Sequence, residues 1–235
     1  MMSSAPQVKA CIFDMDGLLL DTEAMYTVLS NKVLAQYGKE LPLETKIKMM
    51  GRNVKTATDI LLADLQLPTT FEEYDSQITE LKKTYFPMTM MMPGAERLIK
   101  HLAKHSIPIA VATSSNKDMF LVKTTNHGDV FALFGSNITC GDDPSVKNSK
   151  PSPDIFLTAM NRLDSSLQPA DCLVFEDSVT GVQAACNAKM NSIWVHDMRF
   201  SLDPQNPPKD HNATERVTSL LEFNPAQYGL PAFDS

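Results

Sequence analysis

Three short apolar runs each end abruptly in residues that carry chemistry. Residues 8–13 have the length and the β-branched and aromatic content of a buried strand, and they feed directly into Asp14-Met15-Asp16-Gly17. Residues 107–112, Ile-Pro-Ile-Ala-Val-Ala, end in Thr113-Ser114-Ser115-Asn116. Residues 172–175 end in Glu176-Asp177-Ser178, with a helical pattern over 179–188 behind them. Strands separated by helical stretches predict a parallel sheet, and in open α/β sheets ligands bind at the carboxyl edge of the strands. The three polar ends therefore gather on one edge.

Two carboxylates one residue apart repel each other, so a site that keeps both needs a cation, a proton or both. Gly17 lets the chain turn sharply behind them. Taken alone, Asp14-Met15-Asp16-Gly17 is explained equally well as an acidic turn after a strand. Small hydroxyl residues after the second strand offer donors to a phosphate, although an ordinary polar loop has the same composition. Lys150 comes just before Pro151-Ser152-Pro153-Asp154. There Ser152 reads as a helix N-cap, Pro153 as the first helical residue and Asp154 as a first-turn acid, which fixes Lys150 just ahead of a helix. Each piece is bland by itself. The ordered set on one sheet edge is not.

This set resembles the haloacid dehalogenase superfamily of phosphotransferases, whose motifs match Asp14-Met15-Asp16-Gly17, Thr113 after its strand, Lys150-Pro151 and Glu176-Asp177 in the same order. The similarity continues through IFDMDGLLLDTE, MPGAERLIKHLAKHSIP, ATSS, GDDPSV, KPSPDIFL, LVFEDSVTGVQAA and FNPAQYGLP, and it is greatest to the pseudouridine-5′-phosphatase branch. The resemblance implies an α/β fold with a doubly wound, Rossmann-like parallel core, Mg²⁺ as cofactor and a phospho-aspartate intermediate. It implies Asp14 as nucleophile and metal ligand, the Asp16 backbone carbonyl and Asp177 as further metal ligands, and Asp16 as general acid and base. Lys150 would neutralise the nucleophile and the transferring phosphoryl group, and Thr113 and Ser114 would hydrogen-bond its oxygens. Glu176 stays open between orienting metal-bound water and filling a turn. A general acid also needs a pKa above that of an ordinary aspartate, which a neighbouring carboxylate and partial burial can supply. That is the expectation for Asp16.

Between residues 22 and 90 no convincing strand pattern occurs, and helical spacing of apolar residues covers 21–37, 53–65 and 71–85. Residues 21–90 are expected to form an all-helical cap domain inserted after the first strand, joined by linkers near Leu20 and Met90 to a core of residues 1–20 and 91–235. A cap closing over the strand ends would exclude water and meet the organic part of a substrate. Lys46, Lys48, Arg52 and Lys55 make a basic cluster that reads either as a solvated helical face or as a substrate contact. Arg52, beside Gly51, falls where related caps place a substrate-contacting loop. The methionine-rich stretch 88–92 reads as core or hinge filler. Phosphohexose mutases of this architecture carry a histidine five residues after the aspartate of the Asp-Thr dipeptide. The count from Asp21 reaches Tyr26, which favours a phosphatase.

The net charge of −7 argues against a general nucleic-acid binder. A small phosphate ester needs only a local concentration of cations and N–H groups. The chain has 235 residues, 43% hydrophobic and 21% charged, enough for one α/β core and a smaller accessory domain. No apolar stretch approaches the roughly 18 residues of a membrane span, and the N-terminus lacks a signal-peptide pattern. Cys11, Cys140, Cys172 and Cys186 are dispersed without a C-x-x-C pair, which predicts reduced thiols in a cytosolic protein. The expectation is a cytoplasmic, monomeric phosphomonoesterase acting on a small-molecule phosphate ester, pseudouridine 5′-phosphate by branch resemblance. A broad sugar- or polyol-phosphate phosphatase is the alternative, with a mutase or a non-catalytic phosphate-binding protein behind it.

Overall fold

In the computed structural model, which describes residues 7–50, 54–201 and 211–234, the chain alternates strand and helix around one parallel sheet. Strand β1 (Ala10–Phe13) is followed by helices α1 (Thr22–Leu34), α2 (Leu43–Met49), α3 (Val54–Leu65) and α4 (Phe71–Tyr85). Next come α5 (Ala95–Lys104), β2 (Ile109–Ala112), α6 (Lys117–Thr124), α7 (Gly128–Phe131), β3 (Ile138–Thr139) and α8 (Asp154–Leu163). The chain then forms β4 (Cys172–Glu176), α9 (Val179–Asn187), β5 (Asn191–Val195) and β6 (Glu215–Val217). The strand order is β3-β2-β1-β4-β5-β6, with every neighbouring pair parallel. The order reverses at β1, so the crevice of a doubly wound sheet opens at its carboxyl end, beside Asp14.

Side chains alternate across a strand, and each face of this sheet has its own core. Ala10 and Ile12 pack with Phe156 and Ala159 of α8 and Ala184 and Ala185 of α9. Cys11 and Phe13 pack on the other side with Leu98, Ile99 and Leu102 of α5. The sheet is therefore covered twice, as its unbroken apolar runs require. All four cysteines are free, and among the described residues no helix is long and apolar enough to cross a membrane.

Helices α1 to α4 bury a separate cluster that includes Leu29, Val33, Leu61, Tyr74, Ile78 and Phe86. Met119 and Val122 of α6 pack against that cluster, so the helical layer sits on the core at α6. Asp21 caps α1 by accepting from the Ala24 N–H at 3.3 Å, and Thr70 and Glu73 form a reciprocal capping box that starts α4. The two connecting segments run side by side. Asp21 N–H donates to Met90 O at 2.9 Å, Met92 N–H donates to Leu19 O at 2.8 Å, and Leu20 and Met91 form an antiparallel bridge.

Three details differ from the expectations. The stretch 88–92 is not a uniform filler: Met88 ends a 3-10 turn and the chain is extended from Thr89, with Met88 and Met90 62% and 71% exposed while Met91 and Met92 pack on the core. Ser152 does not cap α8; its hydroxyl donates to Asp154 Oδ1 at 2.5 Å, and Asp154 Oδ2 accepts the backbone N–H groups of Lys147 and Asn148. The acid pins the preceding loop instead, which holds Lys150 at the mouth of α8. Helices α2, α6 and α7 and strands β3, β5 and β6 have no counterpart in the sequence reading. The expected loop at 203–210 lies outside the described residues.

Candidate active site

The floor of the site is an aromatic stack. Phe13 and Phe175, opposite each other in the β1–β4 register, stack with ring centroids 4.7 Å apart. Offset aromatic pairs contribute about 0.5–1.5 kcal/mol beyond their burial. The stack locks the two strand ends level, and the Asp14 N–H donates to Phe175 O at 3.0 Å. Asp14 and the Glu176-Asp177 pair therefore emerge together.

Lys150 bridges the two strands. Its ammonium lies 2.5 Å from Asp14 Oδ1 and 2.7 Å from Glu176 Oε1, and it donates to Ala112 O at 3.2 Å. All three side chains are nearly or wholly buried. Glu176 also accepts from the Ser178 N–H and hydroxyl, both at 2.9 Å, at the start of α9. A Cβ at Gly181 would lie 1.7 Å from Glu176 Oε1, so glycine there makes room for the carboxylate. In the structure Glu176 is thus a buried carboxylate paired with Lys150. Burial pushes the Asp14 carboxyl up to about 7, with the neighbouring Glu176 and Asp16 adding to the rise and Lys150 opposing it. The two carboxylates drive the Lys150 ammonium far above an ordinary lysine, against the effect of burial.

Asp16 departs from its expected state. Burial alone would raise its carboxyl, but the Lys123 ammonium and hydrogen bonds from Lys123 and Ser115 outweigh burial and hold it below the usual aspartate value. Lys123, on α6, has no motif to announce it. Its Nζ lies 2.5 Å from Asp16 Oδ1, with Ser115 Oγ donating to Asp16 Oδ2 at 2.8 Å. Thr113, fully buried, donates to the same oxygen at 3.3 Å. Ser114, the hydroxyl expected beside Thr113, is exposed, and the inward position belongs to Ser115.

Asp177 is the outlier in charge balance. Among the described residues its carboxylate has no ion pair or hydrogen bond, and burial with the nearby Glu176 and Asp14 charges raises it well above an ordinary aspartate. Gly17, at φ +79°, turns the chain so closely past it that a Cβ would lie 2.2 Å from Asp177 Oδ2.

The three lysines of the basic cluster are paired with acids of the helical layer. Lys46 is buried and pairs with Glu23 at 2.7 Å, Lys48 pairs with Asp64 at 2.7 Å, and Lys55 pairs with Asp59 at 2.9 Å. Arg52 and Gly51 lie outside the described residues. Between α1, α2, α3 and α4 is a cavity of about 200 Å³ whose lining includes Glu23, Tyr26, Lys46, Asp75 and Lys82. Tyr26 and Glu23 face the catalytic edge: the Tyr26 ring is 5.6 Å from Lys123 Nζ, and Glu23 Cγ is 3.5 Å from the Cβ position of Gly17.

The haloacid dehalogenase-like hydrolase family matches residues 11–195, a span that contains Asp14, Asp16, Thr113, Lys123, Lys150, Glu176 and Asp177. The chain belongs to that family. Among similar hydrolases, one from Drosophila melanogaster named "Probable pseudouridine-5'-phosphatase" is 43% identical over 227 residues, covering 97% of this chain and 96% of its own. The Arabidopsis thaliana protein (DL)-glycerol-3-phosphatase 2 is 40% identical over 226 residues, covering 95% of this chain and 92% of its own. A crystal structure of a hydrolase of the family from Deinococcus radiodurans, with bound phosphate and sodium, shares the fold at a TM-score of 0.79 and 22% identity, covering 97% of this chain and all of that one.

The hydrolase family leads one to expect a divalent cation, and the donor set fits one. Asp14 is buried and Asp177 half-buried, their charges repel, and among the described residues no ion pair holds Asp177. Among the described residues no hydrogen bond reaches the Asp16 backbone carbonyl. Hard oxygen donors of this kind suit Mg²⁺.

Proposed function

We propose that this hydrolase is a Mg²⁺-dependent phosphomonoesterase that passes a phosphoryl group through Asp14. The observation that carries the reading is the buried Asp14–Lys150–Glu176 arrangement with Asp16 held two residues away. Phosphate monoesters repel nucleophiles, so catalysis rests on neutralising charge and fixing an in-line approach. Mg²⁺, when held by Asp14, Asp177 and the Asp16 carbonyl, would supply positive charge to the phosphoryl oxygens. Asp14 attacks phosphorus, the ester oxygen departs, and an acyl phosphate remains on the aspartate. Lys150 stays beside Asp14 throughout and keeps that charge balanced, and the Thr113 hydroxyl, which donates to Asp16 in the free site, turns its hydrogen to the phosphoryl oxygens. Asp16 protonates the departing alkoxide and then takes a proton from the water that cleaves the acyl phosphate. Its ionised resting form serves the second step directly. For the first step the substrate brings the proton, because a phosphate monoester with a second pKa near 6 binds partly as its monoanion.

Asp177→Asn should raise the Mg²⁺ concentration for half-maximal activity by at least about tenfold, since it removes a direct carboxylate ligand. An unchanged Mg²⁺ requirement in a metal titration would rule out Asp177 as a ligand.

We assign pseudouridine 5′-phosphate as substrate on the support of the Drosophila relative. Asp75, in the cavity wall and without an ion pair among the described residues, offers an acceptor to a ring N–H. Pseudouridine has one more such group than uridine. An unpaired buried acceptor costs about 1–3 kcal/mol, which predicts a preference of roughly five- to 150-fold over uridine 5′-phosphate in kcat/KM. The Arabidopsis relative favours a second reading, a polyol-phosphate phosphatase. Equal kcat/KM for the two nucleotides with glycerol 3-phosphate faster than both would select that reading.

A further inference from the structure

Lys123 is a buried cation that the motif chemistry leaves unused: its side chain is 2% exposed and lies against the acid, not the nucleophile. Its Nζ is 2.5 Å from Asp16 Oδ1 and also donates to Ser115 Oγ at 2.8 Å. Ser115 Oγ in turn donates to Asp16 Oδ2 at 2.8 Å, and Thr113 Oγ1 reaches the same oxygen at 3.3 Å. One carboxylate oxygen is thus held by the ammonium and the other by two hydroxyls. The far side of the ammonium is closed by rings from the helical layer, Phe86 at 4.9 Å and Tyr26 at 5.6 Å. Ring faces attract a cation and keep water away from it.

We propose that Lys123 is a positioning residue for Asp16, fixing the carboxylate in the one orientation from which a proton passes to the departing alcohol. The proposal rests on the reading of Asp16 as general acid. A lysine has three donors on a compact head, so one ammonium can hold both the carboxylate and the serine that orients its second oxygen. Without it, the carboxylate is free to turn about its last bond, and misplacing a catalytic group by about 1 Å can cost 10²-fold. The role is specific to leaving groups that need a proton.

The test compares full-length wild type with Lys123→Met on uridine 5′-phosphate and on p-nitrophenyl phosphate at saturating Mg²⁺. It is read in kcat/KM, which covers only the steps up to release of the alcohol. The nucleotide should lose about 10–100-fold while the aryl ester, whose phenolate leaves without a proton, stays within about threefold. Equal losses on both esters, or no loss on the nucleotide, would overturn the proposal and leave Lys123 a structural residue. If Lys123→Met does not fold, Ser115→Ala carries the same test. It should lose about three- to tenfold on the nucleotide alone, and equal effects on both esters count against the proposal. A wild-type protein that hydrolyses neither ester with Mg²⁺ rejects the phosphatase reading itself, a result separate from either variant.

Discussion

Asp14→Asn is expected to leave a folded protein with no measurable turnover and no phosphate retained on the enzyme after incubation with labelled substrate. The amide keeps the shape of the carboxylate but has no charge with which to attack phosphorus. Losing a covalent nucleophile costs about 10⁴-fold or more in rate. The fold should survive because Lys150 still has Glu176 at 2.7 Å, so its buried ammonium keeps a counter-charge. A neutral amide also removes a buried charge that its surroundings disfavour. The thermal midpoint of the metal-free variant should therefore be no lower than that of wild type. Activity within about tenfold of wild type would exclude the covalent route through Asp14.

Asp16→Asn should behave differently on both counts. General acid catalysis contributes about 10²–10⁴-fold, and that loss should appear in kcat/KM for alkyl phosphates and shrink for aryl phosphates. The acylated enzyme should then accumulate, because the base that activates water is also gone, and acid quenching with labelled substrate would detect it. Stability should fall as well. Lys123 is 2% exposed and loses its only carboxylate partner among the described residues. Breaking a buried pair on one side costs about 3–5 kcal/mol, at the lower end here because Asp16 is 24% exposed. Thermal melts of the two variants side by side give the contrast: Asp16→Asn well below Asp14→Asn. A leaving-group profile parallel to wild type would remove Asp16 from the acid role.

The sheet edge was legible where a strand ended in unusual chemistry. β1, β2 and β4 are apolar runs stopping at Asp14, Thr113 and Glu176, and the structure brings these residues together as the order implies. β3 and β6 are two and three residues long, too short for a periodic pattern to stand out. β5 is longer but leads to no distinctive polar motif. Lys150 could be placed because prolines fix it ahead of a helix. Lys123 could not, because a lysine in the last turn of a helix normally faces solvent, and its partner Asp16 is 107 residues away. That one omission reversed the expected direction for Asp16: counting carboxylates and burial without the cation leaves only reasons for the proton to bind. The choice between Ser114 and Ser115 was likewise invisible, since neighbouring residues of a loop point apart according to backbone angles that composition does not encode.

The Leu20–Met91 bridge has a consequence for how such a protein can change its substrate. Bridged residues on antiparallel chains lie about 5 Å apart, so the helical excursion leaves and rejoins the sheet at what is in effect a single point. The entropy of bringing those ends together grows only slowly with the length between them, and backbone hydrogen bonds at Leu19, Asp21, Met90 and Met92 hold the gate shut whatever hangs from it. Helices beyond the gate can be lengthened, reshuffled or exchanged without pulling on β1, so the spacing of Asp14 and Asp177 is insulated from the part of the chain that meets the rest of the substrate.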